Sequence, residues 1–353
     1  MKDVAREAGV SQAAVSYAYS RPGKLSDGQR LHIMETATRL GYAGPNIVGA
    51  SLRSGKIGAI GVMLMDTLEY AFTDPSTRAL LEGVVQSHKF DDLALTLLPL
   101  PHDAESLQPQ NGGDRSALQG LVDGVIVHSL PDDHSALLTL QSRGIPMVIV
   151  DAPRLAGVPL VGIPDRQAAR GQLDHVLRLG HQRVGIIVER LAPDGFHGRV
   201  SASRRVRSTE GVVRERVEGY RESYEAAGGD FQRVPIIEAG AFDLTSGSEA
   251  AHALLDNHDV TAVVTTSDTM AIAALKAAGE RGLRVPEDLS IIGFDDAYEA
   301  ERWGLTTIRQ PMVEKGTLAA TMLFDMLRDN STPASVSLPT ELIVRQTTAQ
   351  PTR

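Results

Sequence analysis

Two hydrophobic rhythms divide the chain near residue 57. Ahead of that point apolar residues recur at helical spacing, and Val4, Ala8, Val10 and Val15 face one another if Asp3–Ala8 and Gln12–Tyr17 are helices turning at Gly9. Ser11 stands where the second helix needs a cap, and Ser26 with Gln29 three residues on has the spacing of a capping box opening a third. Ile33, Ala37 and Leu40 share a face of that third helix, and Gly41 can end it. Three short helices, the first two joined by a tight turn, are the layout of a helix-turn-helix, although any small three-helix bundle shares the pattern.

Beyond Ile57 the apolar residues come in continuous runs: 60–64, 94–98, 124–127, 146–150, 184–188, 262–265 and 289–294. Unbroken Val, Ile and Leu runs separated by helical stretches mark strands buried on both faces, hence parallel sheets flanked by helices. Roughly 290 residues of this exceed one comfortable doubly wound domain, so the pattern predicts two α/β lobes. Residues 338–345 read as a last strand before a frayed tail. Open parallel sheets bind ligands beyond the carboxyl ends of their strands. The candidates are therefore the polar residues just after each run: Asp66 followed by Tyr70 and Phe72, then Asp151, Ser267 with Asp268, and Asp295. Asp268 reads better as a helix N-cap than as a ligand, and Asp66 also suits plain turn chemistry. The stretch 190–214 alternates six arginines with Gly, Ser and Pro; it is too polar for core and reads as a solvated loop, with a lid over the cleft or an anion-attracting rim as alternatives.

Charge sharpens the division. Residues 1–56 carry eight Lys and Arg against four Asp and Glu, a balance of +4, which leaves −13 on the rest of a chain whose total is −9. A basic head on an acidic body suits a polyanion that touches the head alone. The 353 residues include no cysteine, which removes thiol catalysis, disulfides and Cys-based zinc sites. No apolar run approaches the roughly 20 residues of a membrane span, and Met1–Glu7 lacks the apolar core of a signal peptide, so a cytoplasmic protein without membrane partners is expected. No Walker loop, His-Glu-x-x-His or Gly-x-Ser-x-Gly string is present, and the ten His lack metal-ligand spacing; no catalytic residue, metal or cofactor is expected.

The string Asp3-Val4-Ala5-Arg6-Glu7-Ala8-Gly9-Val10-Ser11, with Val15-Ser16 and Leu40-Gly41-Tyr42, closely resembles the headpiece of the lactose-repressor (LacI) family of bacterial transcription regulators. The resemblance implies an all-α helix-turn-helix headpiece over 1–44, a hinge helix over 45–56 and a two-lobed α/β core over 57–353. In that family Gln12, Ala13 and Tyr17 would lie on the recognition helix, Gln suiting adenine and Ala a thymine methyl. Ser16, Lys24 and Asn46 are further expected DNA contacts, and Leu52 matches the leucine that wedges into the minor groove. Tyr17 departs from the family's usual Arg, which puts the customary guanine contact in doubt. The residue pair that normally precedes Lys2 and caps the first helix is missing, so an upstream start is expected.

Landmarks continue through the body: Leu179-Gly180-His181, Gly282–Asp288, Gly293–Asp296 and Leu305–Pro311. They imply a periplasmic-binding-protein-like core whose chain crosses between lobes three times, the first lobe taking about 57–155 and 310–330 and the second about 156–309 and 331–347. By the same resemblance Arg216 clamps an effector, and an aromatic at Tyr70 or Phe72 stacks on it. The expectation is a homodimeric repressor whose affinity for operator DNA is set by a small polar effector, such as a sugar. A sugar-processing α/β enzyme with a regulatory head and a transporter's solute-binding protein are the rival readings.

Overall fold

The computed structural model describes residues 1–20, 22–44, 57–65, 67–90, 93–100 and 122–352. They form two units, 1–58 and 59–353. The smaller holds α1 (Lys2–Glu7), α2 (Gln12–Ser20) and α3 (Asp27–Arg39). Ser11 Oγ accepts from the Ala14 amide at 3.1 Å and Ser26 Oγ from the Gln29 amide at 3.3 Å, so both expected caps form. Met1 caps α1 through no side chain. Gly9 and Gly41, at φ of +64° and +66°, make the left-handed turns that end α1 and α3. Val4, Ala5, Ala8, Val15, Ala18, Ile33 and Ala37 close a small core. Leu40 does not join it. It is the C-cap, 45 % exposed, and the Tyr42 amide instead reaches back to the Ala37 carbonyl at 2.8 Å.

The larger unit is two-lobed. Its first sheet runs β12-β5-β4-β3-β1-β2, from β1 (Ala59–Met65), β2 (Ala94–Leu100), β3 (Gly124–His128), β4 (Met147–Val150), β5 (Leu160–Gly162) and β12 (Val336–Ser337), all parallel. Its helices include α4 (Leu68–Thr73), α5 (Pro75–Gln86), α6 (Ser135–Ser142) and, from the far end of the chain, α13 (Met312–Asp329). The second sheet runs β13-β11-β10-β9-β6-β8-β7, from β6 (Val184–Val188), β7 (Gly198–Arg199), β8 (Ile236–Glu238), β9 (Ala262–Thr265), β10 (Ser290–Asp295), β11 (Thr306–Arg309) and β13 (Glu341–Ile343). Only its edge strands β7 and β13 are antiparallel. Helices α7 (Asp165–Arg178), α8 (Ala202–Val206), α9 (Gly211–Ala226), α10 (Leu244–Asn257), α11 (Asp268–Glu280) and α12 (Tyr298–Arg302) complete this lobe.

The chain crosses between sheets three times, after Gly162, after Arg309 and after Ser337. These points shift the expected lobe limits, because Val336–Ser337 pairs with Val161–Gly162 in the first sheet rather than the second. Two- and three-residue strands are too short to show in a hydrophobic pattern. The tail is not frayed either: the Ile291 amide donates to the Thr347 carbonyl at 2.8 Å and the Ala349 amide to Ser290 Oγ at 3.0 Å. Buried His181 ties the same region together through Thr261, Ser290 and the Ala349 carbonyl. Among the described residues no helix is long and apolar enough to cross a membrane.

Helices α5 and α13 meet backbone to backbone where Gly83 faces Gly316. A Cβ on Gly83 would overlap the Val313 carbonyl, and one on Gly316 the Leu80 carbonyl. Gly83→Ala is expected to cost about 1–3 kcal/mol, since neither backbone can yield without moving its helix. Gly171→Ala, on α7 with open space around it, is expected to be neutral or stabilising by up to ~1 kcal/mol. Denaturant unfolding of both variants checks the pair.

Candidate functional site

The strands of both lobes end at one cavity of about 120 Å3, room for several waters or a small polar molecule. The first lobe contributes His128 from the end of β3, Asp151 just after β4, and Asp74, which also caps α5 by accepting from the Thr77 amide at 2.7 Å. The second contributes Glu189 after β6, Ser267 after β9, Asp295 at the end of β10, and Arg216 from α9. Ser129, Asp151, Asp295 and Asp296 hold positive φ at these strand ends, at +48°, +66°, +119° and +55°. Backbone strain is thus gathered where the side chains must be aimed.

A chain of charged contacts runs through the site from lobe to lobe. Lys315, wholly buried on α13, donates to Asp151 Oδ1 and to Gln310 Oε1, both at 2.5 Å. Gln310 Nε2 donates to Asp295 Oδ1 at 2.5 Å. Asp295 lies 3.6 Å from Arg216, whose Nε donates to Asp165 at 2.9 Å and Nη1 to the Thr266 carbonyl at 2.5 Å. The guanidinium also lies 3.6 Å from the centre of the Phe294 ring. Burial opposes its charge, but Asp165, Asp295 and Glu189 more than offset that and hold it protonated. Burial pushes Asp295 up to about 7, helped by Glu189 and opposed by Arg216. Burial likewise raises Asp165 and, strongly, Asp268, while it lowers His128 against the pull of Asp151.

Of the residues expected from sequence, Asp151, Arg216, Ser267 and Asp295 are brought together here. Asp66, Asn46, Leu52, the hinge segment 45–56 and the Tyr70 side chain lie outside the described residues. Phe72 does not line the cavity: α4 buries Ala71, so the next residue points about 100° away and is 59 % exposed. Asp268 is not the cap of α11. Ser267 is, accepting from the Met270 amide at 3.3 Å, while Asp268 accepts from Thr307 Oγ1 at 2.6 Å and the Ala297 amide at 2.8 Å. The arginine stretch is solvated only in part: Arg199 and Arg207 are exposed, but Arg190 is buried against Glu210 at 2.6 Å and lies 4.6 Å from the Phe242 ring centre. His128 and Glu189 were missed although they obey the rule that found the others, each being the polar residue that ends or follows an apolar run. Phe242 and Gln310 follow no such signal, since loops and crossings bring them in.

In the headpiece Gln12 and Ala13 are exposed at the start of α2, and Ser16 and Tyr17 are half-buried one turn on. Val15 and Ala18 face the core instead. The Lys24 ammonium sits 5.4 Å from the Tyr17 ring centre, which leaves a cation beside this face.

Residues 1–46 match the profile described as bacterial regulatory proteins, lacI family, and residues 173–348 match the periplasmic binding protein-like domain. The HTH-type transcriptional regulator Rv3575c of Mycobacterium tuberculosis is 37% identical over 353 residues, 99% of this chain and 97% of its own. The chain belongs to the LacI family of bacterial regulatory proteins. The crystal structure of a LacI-family transcriptional regulator from Corynebacterium glutamicum, 32% identical, superposes with a TM-score of 0.78 over 99% of this chain and 98% of that one. The transcriptional regulator CelR in complex with cellobiose, 26% identical, does so at 0.69 over 98% of each. As a LacI-family chain this is a DNA-binding transcription regulator and not an enzyme, which sets aside the sugar-processing and solute-binding readings.

The Asp295 shift gives the LacI-family core a pH signature. Between about 4 and about 7 the folded state keeps a proton that the unfolded state has released, so stability falls as pH rises through that window and levels off above it. Asp165 and Asp268 act in the same sense and His128 in the opposite one. Asp295→Asn is expected to flatten the fall by up to ~1 kcal/mol per pH unit, read by denaturant unfolding at pH 5.5 and 7.5.

Proposed function

We propose that this regulator is a homodimeric repressor whose affinity for a roughly palindromic operator is set by a small, hydroxyl-rich ligand, such as a sugar, held between the lobes. The observation that carries the reading is the convergence of Asp74, His128 and Asp151 from one lobe and Glu189, Arg216 and Asp295 from the other on one cavity. Carboxylates accept from hydroxyls and the guanidinium donates to oxygens, the pairings a polyol offers from both sides. Phe242 supplies an apolar wall in the role expected of Phe72. That the CelR relative holds cellobiose supports a sugar. A ligand touching both lobes favours one lobe arrangement, and linkage then requires operator affinity to change with it. The homodimer has support in α4, where Leu68 and Phe72 are exposed four residues apart on one helical face. The segment 45–56 is assigned as hinge helix with Leu52 as its wedge, and the protein as cytoplasmic.

On the DNA side Gln12, Ala13, Ser16 and Tyr17 are assigned to the major groove, and Lys24 and Asn46 to supporting contacts. Gln12→Ala is expected to cost about 1–3 kcal/mol of operator affinity and relax preference at one base pair, whereas Lys24→Ala weakens all sequences alike. Selection from random DNA with each variant checks this, and unchanged base preference for Gln12→Ala removes α2 as the reader. On the ligand side, a thermal-shift screen of sugars and polyols identifies the effector. Phe242→Ala is then expected to weaken its binding about tenfold, read by calorimetry, with operator affinity in its absence unchanged. Equal ligand affinity in Phe242→Ala and the parent protein moves the site elsewhere.

A further inference from the structure

The arginine-rich stretch is fixed to the second lobe as a rigid bracket. Arg204 donates to both oxygens of wholly buried Glu238, at 2.5 and 2.7 Å, and to both of Asp194, at 2.8 and 2.9 Å. Arg190 pairs with Glu210, and Ser208 Oγ donates to the Leu191 carbonyl at 2.9 Å. From this bracket two groups reach the opposite lobe at the loop after β3. The Asp132 amide donates to the Thr209 carbonyl at 2.9 Å, and Arg214 Nη1 meets Asp132 Oδ2 at 2.6 Å. The Ser208 carbonyl accepts from the same Nη1 at 2.7 Å, which aims the guanidinium at its partner. Gly211 sits in the seam, where a Cβ would stand 3.2 Å from Asp132 Oδ1 and 3.3 Å from Ala152 Cβ. The inner side of this bracket, residues 210–213, lines the interlobe cavity.

We propose that Asp132 and Arg214 form a clasp that holds the two lobes closed over the cavity. Their side chains are 38 % and 32 % exposed, and ion pairs so placed are weak, so the clasp tips the balance between open and closed lobes without locking it. A second and longer pair, Arg78 to Glu299 at 3.8 Å, joins α5 to α12 and adds to the same balance. Because residues 210–213 form both the cavity wall and the clasp's base, a ligand pressing on the wall bears directly on lobe closure. The pair thus acts as a positioning device, and it does so whatever ligand the cavity takes.

The absence of cysteine makes the test clean, since Gln141→Cys on the first lobe and exposed Val206→Cys on the second supply the only two thiols. Spin labels there, with labelled full-length protein diluted into unlabelled protein, report interlobe distance by pulsed electron resonance without ligand. Asp132→Ala and Arg214→Ala are each expected to lower the ratio of closed to open populations ~two- to fivefold. The charge exchange Asp132→Arg with Arg214→Asp restores it, and Arg233→Ala, whose 3.4 Å partner Asp230 lies on its own lobe, leaves it unchanged. The clasp is overturned if the distance distribution is the same in both single variants, if the exchange leaves the lobes as open as either one, or if Arg233→Ala moves it equally. Because the readout needs no ligand and no DNA, its failure leaves the assignment of the effector cavity standing.

Discussion

A charge can be buried only if something pays its desolvation back, and here one guanidinium and one ammonium divide that task between the lobes. Arg216 is surrounded by Asp165, Asp295, the Thr266 carbonyl and the Phe294 ring; Lys315 is held by Asp151 and Gln310. Each of these partners sits at a strand end or at a crossing of the chain between lobes. Removing either cation leaves carboxylates buried without compensation, a far larger penalty than the loss of a surface pair. The positions of β4, β9, β10 and the crossing after β11 are therefore fixed by the same contacts that line the cavity. Fold and site are one electrostatic problem.

This explains why the second lobe tolerates so unusual a crowd of acids. Burial and the neighbouring Asp295 raise the proton affinity of Asp268, burial and Glu189 that of Asp295, and burial and Asp151 that of Asp165, while Thr307, Gln310 and Thr266 donate hydrogen bonds to Asp268, Asp295 and Glu189. Asp74, Asp151, Glu189, Glu210 and Asp295 make the lining rich in carboxyl groups, so the cavity favours ligands that bring hydrogens of their own. Non-glycine residues held at left-handed φ at Asp151 and Asp295 persist because this network over-determines them.

How much of this was written in the sequence depends on the kind of signal. The headpiece was legible almost residue by residue, since caps at Ser11 and Ser26 and the buried face of Val4, Ala8 and Val15 are local properties. The parallel sheets were legible from continuous apolar runs, and the rule of polar residues after a strand found Asp151 and Asp295. What escaped was nonlocal. Two-residue β12 and three-residue β5 carry no periodicity, and only pairing, of β5 with β4 and of β12 with β5, reveals them. Leu40 was misplaced because a shared helical face does not say where the helix stops, and Phe72 because a place after a strand does not say which side of the next helix faces the cavity. Arg190 and Arg204 read as solvated because polarity was counted without partners, and their partners Glu210 and Glu238 lie 20 and 34 residues along the chain.

The tail adds a constraint in time. Strand β10 carries Asp295 and borrows its outer hydrogen bonds from Thr347 and Ala349, so the second lobe cannot be completed until that part of the chain has left the ribosome. The headpiece, whose core needs nothing beyond Tyr42, can fold some 300 residues earlier, as N-terminal domains do during synthesis. A nascent molecule can thus carry a folded headpiece before its second lobe is complete.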